Sequence, residues 1–303
     1  MQRRDLLQIT AILGLTSTHS GQALAASASG AADSATTDHN PLIPPADGRI
    51  PVAVLLSEDA VVIDFAGPWE VFRQVRVKGA HSSPFELYTV AETTALLHVG
   101  GALNIVPNYT IDTAPAPKVL VIPAQSEPSA AVVEWIRKVT RSTDVTMSVC
   151  TGAFVLAKTG LLSGKPATTW HGAYAELAMA FPDIAVKRGV RFVETSNLAT
   201  AGGLSSGIDL ALRVVERYFG RDVARSTAYQ LEYQGVGWMN PDSNSVYATR
   251  RAATAGHPIC AVCEMDVDIA VAPKVTHRGH VYYFCMEGHK KLFEASPEQF
   301  RVG

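Results

Sequence analysis

From Ile50 to Leu56 the chain reads IPVAVLL, bounded by Gly48 before it and Ser57-Glu58-Asp59 after it. An uninterrupted apolar run of this length predicts a strand buried on both faces, as in a parallel sheet covered by helices. Lys118–Pro123 (KVLVIP) and Val145–Val149 (VTMSV) repeat the pattern. Phe85–Ala91 and Leu103–Val106 predict shorter strands, and Asn108–Thr110 a turn. Between the strands the spacing becomes helical. Ala130–Thr140 and Thr151–Lys158 predict helices, as do Ala173–Ala180, stopped by Phe181-Pro182, and an amphipathic Ser206–Phe219, stopped by Gly220. Strands alternating with helices make an α/β fold with a parallel sheet wound on both sides. No internal repeat stands out.

In such sheets reactive groups collect beyond the carboxyl ends of the strands. Asp64 lies in VVIDFAGPWEVF, just after the first strand, where Gly67-Pro68 predicts the opening of a helix. Its alternative role is to cap that helix. Cys150 lies in SVCTGA, where a buried strand passes directly into a helix. That junction is the geometry of a nucleophile elbow, which lifts the side chain above the sheet. The following helix N-terminus favours a thiolate, so a thiol pKa below the free value of ~8.5 is expected. The Thr151 N–H is placed to meet a developing oxyanion. The alternative for Cys150 is a plain core cysteine.

Three ordered stretches resemble the ThiJ/PfpI family, with its class I glutamine-amidotransferase-like fold. They are DFAGPWEVF from Asp64, SVCTGAFVLAKTGLLSGKPATT from Ser148 and TAGGLSSGIDLALRVVERYFG from Thr200. The resemblance spans residues 50–236 and is nearest to the isonitrile hydratase branch. It implies a flavodoxin-like doubly wound sandwich, a homodimer, and a small-molecule substrate handled without a cofactor at Cys150. It makes Cys150 the nucleophile, Asp64 the acid beside it, and Thr151 a third catalytic residue. Where the family carries Gly-Gly near one oxyanion-hole N–H, this chain has Ala124-Gln125. Where the family reads Thr-Thr-His-Trp, this chain reads Thr168-Thr169-Trp170-His171. His171 is therefore expected to line the pocket rather than act as base.

The tail carries Cys260-Ala-Val-Cys263 and, after the strand-like HVYYF, Cys285 and His289. A C-x2-C pair brings two sulfurs to one ion, and Cys285 and His289, four apart, predict a shared helix face that completes a tetrahedron. A disulfide between Cys260 and Cys263 is the alternative. From Cys260 to Phe300 the tail resembles a YHS domain, a small α+β heavy-metal module. His289 stands at the usual fourth cysteine, which implies Zn or Cu at Cys260, Cys263, Cys285 and His289. Residues 257–303 form this module and 237–256 a linker.

Length and charge then bound the reading. The chain has 303 residues, consistent with about two domains. With Lys+Arg 26 against Asp+Glu 28 it lacks the basic excess of a nucleic-acid surface. No run reaches the ~20 apolar residues of a membrane span. Met1-Gln-Arg3-Arg4, the apolar run from Ile9 and Ala23-Leu24-Ala25 read as a twin-arginine export signal over 1–25, hence a periplasmic protein. A polar linker over 26–49 follows. Three readings of function result: an exported thiol-dependent hydratase or hydrolase with a metal module, a non-catalytic metal-responsive or ligand-binding protein, and a stress protein acting on reactive carbonyls.

Overall fold

The computed structural model describes residues 40–300, save Ala80 and Ala255. The expected export signal, and the expected linker up to residue 39, lie outside the described residues. The chain runs β1 (Ile50–Leu55), α1 (Val62–Gln74), β2 (Phe85–Ala91), β3 (Leu97–Val99), β4 (Leu103–Ile105), β5 (Tyr109–Thr110) and β6 (Val119–Ile122). It continues with α2 (Ala130–Thr140), β7 (Val145–Val149), α3 (Gly152–Lys158), β8 (Pro166–Ala167), α4 (Tyr174–Ala180) and β9 (Ala185–Val186). Then come β10 (Phe192–Thr195), β11 (Leu198–Ala201), α5 (Ser206–Phe219), α6 (Arg221–Gln230), β12 (Lys274–His277), β13 (His280–Tyr283) and α7 (Glu287–Ala295).

The main sheet has the order β10-β11-β7-β6-β1-β2-β5. All its pairings are parallel except that of β10 with β11. Side chains alternate across it as strand geometry requires. Val52, Val54, Val119, Val121, Met147 and Val149 face one core with α1 and α5. Ala53, Leu55, Leu120 and Ile122 face the other, with Trp135 and Ile136 of α2 and Leu156 of α3. Burial on both faces explains why β1 and β6 lack polar positions, while β7 buries Thr146 and Ser148, and the doubly wound α/β expectation holds.

Several local expectations are corrected. The helix expected to open at Gly67-Pro68 starts at Val62, so Asp64 sits in its first turn and Pro68 lies inside it. Tertiary packing overrides the proline: a Cβ on Gly67 would lie 2.9 Å from Ile208 of α5, so glycine lets the two helices close. The turn expected at 108–110 contains a short edge strand, β5, anchored where Asn108 Oδ1 accepts from the Thr89 backbone N–H at 2.8 Å. Helix α5 keeps the expected amphipathic pattern, but its polar face is buried as well. Its charged residues are paired: Arg213 with Glu194 and Glu216, Arg217 with Glu194.

The tail forms its own small core of Cys260, Val262, Cys263, Phe284, Phe293 and Phe300 beside the β12–β13 hairpin. It rests on the α/β domain. Ala175 and Met179, one turn apart on α4, pack against that core. Arg188 reaches both carboxylate oxygens of Glu264, at 3.0 and 3.2 Å. Before the tail, Trp238 is buried and its N–H donates to Asp209. At the other end of the α/β domain, the Leu42 N–H donates to the Arg217 carbonyl at 2.8 Å. Among the described residues no helix is long and apolar enough to cross a membrane.

Candidate functional sites

Cys150 follows the last residue of β7 and carries φ +57°, the left-handed region that a non-glycine residue avoids. The chain holds it there from three sides. Its N–H donates to the Gly202 carbonyl at 2.9 Å, its carbonyl accepts from Thr169 Oγ1 at 2.8 Å, and α3 starts two residues on. Gly152 makes the turn feasible, because a Cβ there would lie 2.2 Å from the Ile122 carbonyl oxygen. A strand passing into a helix this tightly, on a left-handed residue, is a nucleophile elbow.

Asp64 is fully buried beside it. Its Oδ2 accepts from the Ala124 N–H at 3.1 Å, while Oδ1 has no protein partner. Burial raises the Asp64 pKa to about 6, against the lowering effects of the Ala124 N–H and the Cys150 thiol. The thiol itself does not follow the expectation from the helix terminus. Burial and the Asp64 charge push it up to about 12, and the N–H groups of Thr151 and Leu204 offset this only in part. At neutral pH the pair is thus a protonated thiol facing a mostly ionised carboxylate.

The other expected pocket residues divide. The Ala124 N–H, expected at an oxyanion hole, is engaged by Asp64. Gln125 follows it, and its Oε1 is buried without a partner. His171 faces the tail: its ring stacks on Tyr247 at 4.3 Å between centroids and lines a cavity of about 520 Å³ with Arg250, Glu264 and Met265. Burial lowers its pKa. Trp170, its neighbour in the swapped pair, packs over Gly203, beside Leu204. Leu204, which the sequence did not single out, adjoins the sulfur at φ +42°. The Gly202-Gly203 step before it was the available signal.

The second cluster gathers Cys260, Cys263, Cys285 and His289, with ligand atoms all within 4.8 Å of one another. All four cysteines are free, so a Cys260–Cys263 disulfide is not present. Tetrahedral zinc with Zn–S ~2.3 Å and Zn–N ~2.0 Å needs S···S edges of ~3.8 Å and S···N edges of ~3.5 Å. The observed Cys263–Cys285 separation is 3.6 Å, and His289 Nδ1 lies 3.4 Å from Cys260 Sγ and 3.1 Å from Cys285 Sγ. The donor set therefore fits a soft or borderline metal ion. Cys285 precedes α7 rather than sharing its face, so the ligand comes from the loop leading into the helix. Hydrogen bonds from Cys263 and His289 hold Cys260 well below the ordinary thiol range, and the same contact raises Cys263. Another cavity, of about 660 Å³, lies in the tail between Arg250, Ile259, Tyr282 and Phe300 and reaches Cys260; neither Cys150 nor Asp64 lines it.

Comparison with known proteins divides along the same boundary. The sequence profile of the DJ-1/PfpI family matches residues 51–217. The isonitrile hydratase of Pseudomonas putida is 32% identical over 187 residues, 60% of this chain and 78% of that protein. The HTH-type transcriptional regulator CdhR of Pseudomonas aeruginosa is 31% identical over 136 residues, 45% of this chain but only 40% of the regulator. Among solved structures, a ThiJ/PfpI family protein from Pseudomonas syringae superposes with a TM-score of 0.55 at 24% identity, covering 62% of this chain and 76% of that one. Drosophila melanogaster DJ-1beta does so with a TM-score of 0.52 at 18% identity, over 62% of this chain and 100% of that one. These structural likenesses establish the fold.

Proposed function

The chain belongs to the DJ-1/PfpI family, and on that footing we propose that Cys150 and Asp64 work together as a thiol-dependent hydratase of a small electrophile, an isocyanide being the best fit. The observation that carries this reading is the strained Cys150 elbow with a buried carboxylate beside it whose second oxygen is unpaired. The thiol, near 12, holds its proton far more tightly than the acid, near 6, so a free thiolate beside a protonated Asp64 is disfavoured before attack. Transfer must therefore accompany attack. The sulfur adds to the terminal isocyanide carbon while the thiol proton, passed through Asp64, ends on that same carbon, giving a thioimidate. Asp64 then takes a proton from water as it adds and passes it to the nitrogen; the C–S bond breaks as the remaining hydroxyl proton goes to the sulfur, and an N-substituted formamide leaves with the thiol restored. Thr151 steadies the sulfur from its N–H and hydroxyl.

In this proposal the tail resembles a YHS module and holds Zn or Cu through Cys260, Cys263, Cys285 and His289, where the ion supplies a crosslink to a small core. The paired Arg3-Arg4 and the Ala23-Leu24-Ala25 step make the protein an exported one. N-terminal sequencing of the protein recovered from the periplasm should begin at Ala26; recovery only from the cytoplasm with Met1 intact would overturn that part. The hydratase assay measures formamide from cyclohexyl isocyanide for the wild type and for Cys150→Ala. Equal rates, or none for either, defeat the proposal. A second reading, ligand binding without turnover, is favoured by the buried, protonated thiol; tight binding of isocyanide without turnover would support it. Turnover of methylglyoxal but not of isocyanide would instead support a reactive-carbonyl role.

A further inference from the structure

His289 is one of the points where the two parts of the molecule meet chemically. Its Nδ1 faces the three sulfurs of the tail, and its Nε2 lies 2.5 Å from Oε1 of Glu176, on α4 of the α/β domain. His289 is 7% exposed and Glu176 is half-buried, so the histidine end of that contact is shielded from water. Glu176 does not stand there alone. Ala175 and Met179 on the same helix pack into the tail core. A histidine that binds a metal through one nitrogen is oriented by whatever accepts the proton on the other, and a carboxylate there both fixes the tautomer and makes the ring a better donor.

We propose that Glu176 is a positioning residue of the tail's metal centre, so that the α/β domain supplies part of a site whose ligands all belong to the tail. This rests on the metal reading above. It assigns to Glu176 a role that neither domain contains by itself: the tail binds its ion tightly only when docked on α4, and the bound ion in turn holds the tail there. The two events are linked, because whatever strengthens one must strengthen the other.

The test uses the full chain without a polyhistidine tag, as wild type, Glu176→Ala and Glu176→Gln. Zinc affinity is measured by competition with a chromophoric chelator, and unfolding midpoints are measured with and without zinc. Expected are 10–100-fold weaker zinc binding in Glu176→Ala and a smaller zinc-induced rise of its midpoint. Glu176→Gln, whose amide oxygen still accepts from Nε2, should recover part of both. Affinities within twofold across all three proteins overturn the inference. So does a Glu176→Ala midpoint lowered equally with and without zinc, the signature of packing alone. A wild type that takes up neither zinc nor copper overturns the metal reading itself, and is thereby distinguishable from failure of the Glu176 role. If the alanine variant does not fold, the isosteric glutamine variant decides, with a measurable loss of affinity expected and none overturning the role.

Discussion

Cys150 and Cys260 are both buried sulfurs in one chain, yet their surroundings push them in opposite directions. Cys150 is alone, shielded from water and faced by a carboxylate, so its proton is held to about 12. Cys260 is also buried, but a neighbouring thiol and an imidazole donate to it and hold it well below the ordinary thiol range. Burial disfavours charge at both places; the Asp64 charge adds to it at Cys150, whereas the hydrogen bonds from Cys263 and His289 outweigh it at Cys260. A lone thiol kept neutral suits a step in which its proton moves with the attack. A thiolate surrounded by donors suits a metal ion, which replaces those protons.

The strongest way to break this contrast is to remove one sulfur and read both sites. Cys150→Ala is expected to lower isocyanide hydration by at least ~10³-fold while leaving zinc uptake and the zinc-induced midpoint shift unchanged. Cys263→Ser should do the converse. Joint loss in either variant would show that the sites are not separate. Next in size is Asp64→Asn, which should lose ~10²–10⁴-fold in rate yet gain stability. The Asp64 pKa in the folded state is about 6 against 3.8 in the open chain, so the folded state binds the extra proton between these values. Stability from this group is therefore present at low pH and is lost as pH rises through that window, to a cost of about 3 kcal/mol above pH 7. The asparagine variant should be more stable than wild type at pH 7.5 and no more stable below pH 4, as urea unfolding at both pH values will show.

Two smaller effects sharpen the comparison. The wild-type kcat/KM should rise with a midpoint near pH 6, as Asp64 ionises, and show no fall before pH 10, since the thiol stays protonated; a bell closing near pH 8 would place a thiolate in the free enzyme. Finally, Gly152→Ala forces a Cβ toward the Ile122 carbonyl and should cost about 1–3 kcal/mol of stability with zinc binding intact.

What was readable in the sequence follows from how each piece is buried. Strands β1 and β6 are apolar on both faces and announce themselves, and the short run of β7 does so despite Thr146 and Ser148 on one face. The β10–β11 hairpin does not, because Glu194 serves buried arginines of α5 and looks like a solvent residue. The start of α1 was hidden by Val61-Val62-Ile63, a β-branched run, and by Pro68, which looks like a first-turn proline. The elbow at Cys150 was legible because strand, thiol and Thr-Gly step are contiguous. The direction of its pKa was not, since that depends on a carboxylate brought from α1. Likewise the tail ligands could be picked out from spacing, whereas Glu176, 113 positions from His289, reads as an ordinary exposed acid of a short helix. His171 sat next to a recognisable motif, but only the fold reveals that it faces Tyr247.

The central strand β1 pairs on one side from Ile50 to Phe85 and on the other from Val52 to Val119. Contacts between such distant parts of the chain form slowly. Because the tail rests on α4, which belongs to that sheet domain, its docking surface is completed only after the slow pairing is done. Until then the tail's thiols lack the cover that α4 gives them.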